Sequence, residues 1–178
     1  MKPATAVLAS LLLSSAAEAQ LAPGAPGEQA TWTGANKQGV GSGAQLDSRV
    51  WFSLGAGALQ EVYYPALDQA NTRLTELVFS GGGQVEREGA DADTRAELAD
   101  PEALLYRQVN TARSGRWRVT KTTLADPARP VVLQRVRIER LQPGPLRAFV
   151  FFDPAVANSG LHDSGYLSGG ALVAEDAG

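Results

Sequence analysis

His162 is the single histidine of the chain, and it lies in the run Asn158-Ser159-Gly160-Leu161-His162-Asp163-Ser164-Gly165, which puts a hydroxyl, an imidazole and a carboxylate within a few positions of one another. Nucleophilic catalysis needs those three groups in a relay, but they normally come from separate elements so that the base can face the nucleophile. Here they are neighbours in a stretch of turn-forming residues, and no Gly-x-Ser-x-Gly elbow occurs in the chain. The expectation is a solvated or turn-bonded histidine. Asp91-Ala92-Asp93 could offer hard oxygen ligands to calcium, yet the run lacks the turn glycine and the bidentate acid that such a loop needs. Gly81-Gly82-Gly83 has the look of a phosphate cradle, but no Gly-Lys-Ser/Thr follows it. These runs read as an acidic loop and a tight turn, so no metal and no cofactor is expected.

Aromatic side chains are the remaining candidates, because they stack on flat ligand faces while a few polar groups fix orientation. They are Trp32, Trp51, Trp117, Tyr63 and Tyr64. Trp51 and Trp117 occupy alternating strand positions and are expected in the core. Tyr63 and Tyr64 are consecutive in a strand and must point to opposite faces. Trp32 stands in a segment otherwise made of Gly, Pro, Ala and Thr, where a free linker has little use for a large apolar side chain, so a docked role is expected. Beside it, Asn36, Lys37 and Gln38 carry three hydrogen-bonding side chains on one loop. The candidate contact residues, for a carbohydrate or a partner domain, are therefore Trp32, Asn36, Lys37, Gln38, Tyr63 and Tyr64.

The elements that would hold these residues are strands. From residue 49 onward, strand signals follow one another, each broken by turn chemistry: 49–54 and 58–64 around Gly55-Ala56-Gly57, then 73–80 and 84–88 around Gly81-Gly82-Gly83. The polar stretch 89–101 is expected to be a short helix or a long loop. Strands resume at 104–109, and at 116–124 Trp117 and Val119 alternate with Arg116, Arg118 and Thr120. The pattern repeats over 131–140, with Val132, Val136 and Ile138 opposite Arg135, Arg137 and Glu139. The run Ala148-Phe149-Val150-Phe151-Phe152 within 146–152 predicts a strand covered on both faces, and 166–173 predicts one more. Many short strands without an amphipathic helix predict an all-β antiparallel sandwich.

At 178 residues, with 44% hydrophobic and 20% charged residues, the chain has room for one globular domain. Its net charge of -3 comes from 16 basic and 19 acidic residues spread along the sequence, which argues against nucleic acid as a partner. Lys2, the apolar run 6–13 and Ala17-Glu18-Ala19 fit an export signal over 1–19, and the run is too short for a membrane span. The expected organisation is that leader, an extended segment over 20–47 and a sandwich over 48–178. Cysteine is absent, so burial and hydrogen bonding alone must hold the fold.

The stretch from Ala22 to Gly41, with its repeated Pro-Gly, its Trp32-Thr33 pair and its Ala35-Asn36-Lys37-Gln38-Gly39-Val40-Gly41 turn, resembles the mature start of bacterial-type glucoamylases and glucodextranases of glycoside hydrolase family 15. The resemblance continues through Ser48-Arg49-Val50-Trp51-Phe52-Ser53, Glu61-Val62-Tyr63-Tyr64-Pro65 with Asp68, Asp100-Pro101-Glu102-Ala103, Tyr106-Arg107-Gln108-Val109-Asn110-Thr111 and Phe152-Asp153-Pro154-Ala155. It implies a large two-sheet sandwich of the galactose-mutarotase-like kind, the N-terminal non-catalytic domain of an exported, inverting α-glucan glucosidase. It further implies that the chain stops short of the family's remaining strands and of its helical (α/α)6 catalytic barrel, the expected partner. An inverting glycosidase sets two carboxyl groups about 6.5–9.5 Å apart. The family's acid and base belong to the barrel, and none is carried onto Glu61, Glu76 or Glu102. Asp68 and Asp153 sit at strand ends, where hydrogen bonding to their own turns is expected. Mutarotases of similar architecture use paired histidines, which a single histidine cannot supply. The other reading of the sequence is a stand-alone secreted carbohydrate-binding module that takes up α-glucan.

Overall fold

The computed structural model describes residues 20–21, 32–159 and 161–176; the expected leader over 1–19, and positions 22–31 of the extended segment, lie outside the described residues. The described chain is built of antiparallel strands. In order they are β1 (Gln20–Leu21), β2 (Gly39–Ser42), β3 (Trp51–Gly55), β4 (Ala58–Tyr63), β5 (Ala70–Gly81) and β6 (Gln84–Arg87), then a single helical turn α1 (Glu88–Asp91). The second half runs through β7 (Ala92–Asp100), β8 (Leu105–Ala112), β9 (Trp117–Ala125), β10 (Val132–Arg140) and β11 (Arg147–Pro154), followed by the 3-10 turn Val156–Asn158 and by β12 (Asp163–Ser168) and β13 (Ala171–Asp176).

Two sheets form the sandwich. One has the order β11-β5-β4-β3-β2 with β6 also beside β5; the other is β10-β9-β8-β7, and a small third sheet is β1-β12-β13. The alternation in β9 shows how sequence sets the layers: Trp117, Val119, Lys121, Thr123 and Ala125 are buried, and the residues between them are half-buried on the outer face. The interior has two apolar clusters. Val50, Phe52, Leu54, Leu59 and Ala125 make one, with the Tyr106 ring edge-on to Phe52 at 6.2 Å; Leu77, Phe79, Ala112, Trp117 and Val119 make the other, with Phe79 and Trp117 stacked at 4.2 Å.

Between the clusters the interior is polar. The Lys121 ammonium lies 2.6 Å from Glu88 Oε2 and donates to the Gly57 carbonyl at 2.8 Å, with both charged side chains at 1% exposure or less. Glu88 also accepts from the Leu77 N–H at 2.6 Å and from Asn110 Nδ2 at 2.7 Å. Asn110 Nδ2 reaches the same Gly57 carbonyl at 2.9 Å. Glu88 belongs to α1, which follows β6 of the first sheet, whereas Lys121 and Asn110 belong to the second, so the network ties the two layers together. Gly57 has to be glycine twice over, because its φ is +75° and a Cβ there would sit 2.5 Å from Asn110 Oδ1. Burial lowers the pKa of the Lys121 ammonium, while the charges of Glu88 and Glu76 oppose that shift.

The structure corrects several expectations. Residues 92–100 are the edge strand β7, not a helix or a loop: Ala92, Thr94 and Ala96 are half-buried while Asp93, Arg95 and Glu97 are exposed, a period of two hidden by the density of charge. The single strand expected at 166–173 is a hairpin, since Gly169 and Gly170 take φ of +57° and +80° and reverse the chain between β12 and β13. Trp117 is buried, but Trp51 is only half-buried at the start of β3. Asp153 does not bond its own turn; it forms an ion pair across the sheet with Arg73. The run 148–152, expected to be covered on both faces, is exposed from Ala148 to Phe151 in β11, with Phe149 at 53% and Val150 at 58%, and only Phe152 is half-buried.

Lys121→Met strands the Glu88 carboxylate inside the sandwich without a cation, and we expect a loss of roughly 3–5 kcal/mol in urea unfolding. Adding Glu88→Gln should recover most of that loss. Equal destabilisation by the single and double variants would show that the pair is not the coupled unit described here.

Candidate functional site

Ser53 and Glu61 face the outer side of the first sheet, away from the apolar clusters, yet they are only 3% and 4% exposed. The cover is the segment that carries Trp32. Lys37 Nζ donates to Glu61 Oε2 and to Gln60 Oε1, both at 2.7 Å, and to Thr33 Oγ1 at 2.8 Å. The Thr33 hydroxyl donates to Glu61 Oε1, the Ser53 hydroxyl donates to Glu61 Oε2 at 2.5 Å, and Ser53 Oγ in turn accepts from the Glu61 N–H at 3.2 Å. The segment then enters the sheet: the Gln38 N–H donates to the Leu54 carbonyl at 2.7 Å, and its side-chain oxygen accepts from the Gly57 N–H at 3.1 Å.

Burial by itself raises the Glu61 pKa, but the hydrogen bonds from Lys37, Ser53 and Thr33 outweigh it and hold the carboxyl below its ordinary value of 4.5. The Tyr63 hydroxyl is pushed up by burial and then by the charge of Glu61. Of the six candidate contact residues, Lys37 gives its ammonium and Gln38 its side-chain oxygen to groups of the chain. Trp32, at 40%, and Asn36 are exposed beside them, and Tyr63 is half-buried. Tyr64 lies apart at 41% exposure; its carbonyl accepts from Asn71 Nδ2 at 2.6 Å, the peptide bond to Pro65 is cis, and the Arg49 guanidinium stands 5.8 Å from its ring centre.

Tyr64 and Arg49 also line a shallow cleft with Asp47, Arg129 and the prolines Pro127 and Pro130, of about 180 Å³. Small-molecule sites run from about 300 Å³ upward and are enclosed by apolar walls, so this cleft is not built like one. Arg129 is turned away from any ligand role there by its ion pair with Asp126 at 2.6 Å. That bond, then the Ala128 N–H, lowers the Asp126 pKa.

The buried glutamates are committed to the protein's own groups. Glu76 holds Arg87 and accepts from the Gly89 N–H at 2.9 Å; Glu86 accepts from Trp117 Nε1 at 3.0 Å and pairs with Arg116. Asp163 accepts from the Val156 N–H at 2.9 Å, and burial first of all raises its pKa. His162 is exposed with φ of +68°, while Ser159 Oγ accepts from the Leu161 N–H at 3.1 Å, so the local hydroxyl, imidazole and carboxylate form no relay. Among the described residues no cluster of His, Asp or Glu suits a metal ion, and no helix is long and apolar enough to cross a membrane. Sequence reasoning missed Glu61, Ser53 and Thr33 as a unit. The available signal was a glutamate in the middle of a strand of otherwise apolar and amide residues.

The described residues make an all-β antiparallel sandwich in which Glu61, Glu76, Glu86 and Glu88 are bonded to the protein's own groups. The particular family is given by comparison: the model described as glucodextranase, domain N, matches residues 22–178, and the chain belongs to that family. A glucoamylase of Clostridium sp. (strain G0005) is 34% identical over 145 residues, 80% of this chain and 21% of that protein. The crystal structure of a bacterial glucoamylase complexed with acarbose superposes with a TM-score of 0.75 at 34% identity, over 85% of this chain and 22% of that one. The chain thus spans about a fifth of the length of these relatives.

Because the folded-state pKa of Glu61 lies below 4.5, its contribution to stability is present above that pH and is lost as pH falls through the folded value. The unfolding midpoint of the native chain should therefore exceed that of Glu61→Gln at neutral pH, and the two should converge in acid. A gap that does not change with pH would remove the carboxylate as the holder of the strap.

Proposed function

We propose that this chain serves as the non-catalytic N-terminal sandwich of an exported glucoamylase- or glucodextranase-like glucosidase, where it supports a helical catalytic domain. The observation that carries the reading is the family match, and the commitment of the buried glutamates Glu76, Glu86 and Glu88 to the protein's own groups supports it. Export is supported by Lys2, the apolar run 6–13 and the small-residue triplet ending at Ala19, which set the proposed order of leader, extended segment over 20–47 and sandwich over 48–178. The contact to the catalytic domain, or to α-glucan, is assigned to Trp32 and Asn36, held at the surface by the Lys37 and Gln38 anchors, and to Tyr63 and Tyr64 at the end of β4. In such an enzyme the glucosidase chemistry lies wholly in the partner domain.

Purified chain should release no glucose from maltooligosaccharides or isomaltose, and its tryptophan fluorescence should show no saturable change when α-glucan oligosaccharides are added. Turnover that stays with the protein through successive columns would overturn the non-catalytic assignment. A saturable fluorescence change abolished by Trp32→Ala would replace domain support by glucan binding.

A further inference from the structure

Gln108 and Asn110 stand two residues apart on the inner face of β8, and in the strand register Gln108 is directly opposite Lys121 of β9 while Asn110 is the diagonal neighbour of that lysine. Opposed side chains of antiparallel strands have Cβ atoms about 4.5–5.5 Å apart, and diagonal ones come within reach when the side chains are long. All three are enclosed, with exposures of 0%, 0% and 1%. The described residues alone make that enclosure.

Each of the three has bonding capacity left over. Asn110 Nδ2 spends both of its hydrogens, on the Gly57 carbonyl and on Glu88 Oε1, which fixes the orientation of the amide; its Oδ1 accepts nothing among the described residues. Gln108 Nε2 points to Gln38 Oε1 at 3.4 Å, an oxygen that also accepts the Gly57 N–H, and Gln108 Oε1 at the other end of the amide likewise accepts nothing. The Lys121 ammonium has three hydrogens, of which Glu88 Oε2 and the Gly57 carbonyl take two. A buried acceptor without a donor keeps its full desolvation cost, so such groups are rare inside folded chains.

We propose that this junction binds one internal water molecule, which accepts the third Lys121 N–H and donates its two hydrogens to Gln108 Oε1 and Asn110 Oδ1. The chemistry of the three groups selects the ligand. The ammonium repels a cation and the two amide oxygens repel an anion, which leaves a neutral molecule with two donors and an acceptor. Buried waters typically make about three hydrogen bonds to groups that would otherwise be unpaired. The neighbours are small, since Gln108 is paired on the β7 side with Ala96 and Asn110 packs against Gly57, and the enclosure limits the ligand to the size of water. With the water in place every hydrogen of the ammonium is matched, which favours its charged form against the pull of burial. The inference is independent of the role in a glucosidase.

A high-resolution crystal structure of the native chain should show a single ordered water within about 2.7–3.2 Å of Lys121 Nζ, Gln108 Oε1 and Asn110 Oδ1. In solution, the side-chain amide protons of Asn110 should give water NOEs of the sign that marks residence longer than the tumbling time of the protein. Gln108→Met keeps the length of the side chain and removes its oxygen, so the water peak should be lost or fall to partial occupancy while Lys121 and Glu88 stay paired. A Lys121 ammonium that donates its third hydrogen directly to either amide oxygen, an absence of both density and NOEs in the native chain, or a peak unchanged in Gln108→Met would overturn the proposal. The native measurements decide it even where the variant does not fold.

Discussion

One desolvated ion pair constrains most of this molecule. Lys121 and Glu88 are withdrawn from water almost completely, and each such charge costs several kcal/mol unless its partner and its remaining hydrogen-bonding sites are supplied. The fold is arranged to supply them. The β3–β4 turn presents the Gly57 carbonyl to both Lys121 and Asn110, a single helical turn between β6 and β7 delivers Glu88, and β5 gives the Leu77 N–H. A turn, a strand and a one-turn helix from one layer thus converge on two side chains of the other. The apolar core is divided in consequence, with Phe52 and Leu54 on one side of the network and Phe79 and Trp117 on the other.

The same use of acidic residues recurs outward from that centre. Glu86 fixes the Trp117 indole, Glu76 holds Arg87 at the start of α1, and Glu61 fastens the segment that carries Trp32 to the outer surface of the sheet. A sandwich without disulfides gains layer-to-layer and strap-to-sheet connections in this way. The glutamates that burial would otherwise tune are salt-bridged or bonded to backbone N–H groups instead.

Much of the architecture was legible in the sequence because period-two alternation is a direct record of layering. Trp117 and Val119 declare the inner face of β9, and Gly55-Ala56-Gly57 and Gly81-Gly82-Gly83 mark two of the hairpins, whereas the Gly169-Gly170 reversal was passed over. Lys121 falls two residues further on the same face, but was not singled out from the sequence, and its partner Glu88 lies across the sandwich at a position that local pattern leaves undetermined. β7 escaped notice because its inner residues are alanine and threonine, which carry a weak apolar signal between charges. The reading of β11 went the other way: its apolar run predicts cover on both faces, whereas Phe149, Val150 and Phe151 are exposed. For the contact residues, the aromatic and amide types were visible, whereas the clasp at Glu61 depends on a meeting of residues 24 positions apart.

The position of Lys121 also bears on how the strands find their alignment. β9 lies between β8 and β10, and its side chains alternate strictly, so a slip of one residue against either neighbour reverses every side chain it carries. An all-apolar inner face would forgive part of such an error by burying whichever residues arrived. Here the slipped strand would send the ammonium to solvent, bring Thr120 and Thr122 inside, and leave the Glu88 carboxylate enclosed without its cation. The buried pair therefore acts as a proofreading device for strand alignment, penalising near-miss folds more heavily than it rewards the correct one.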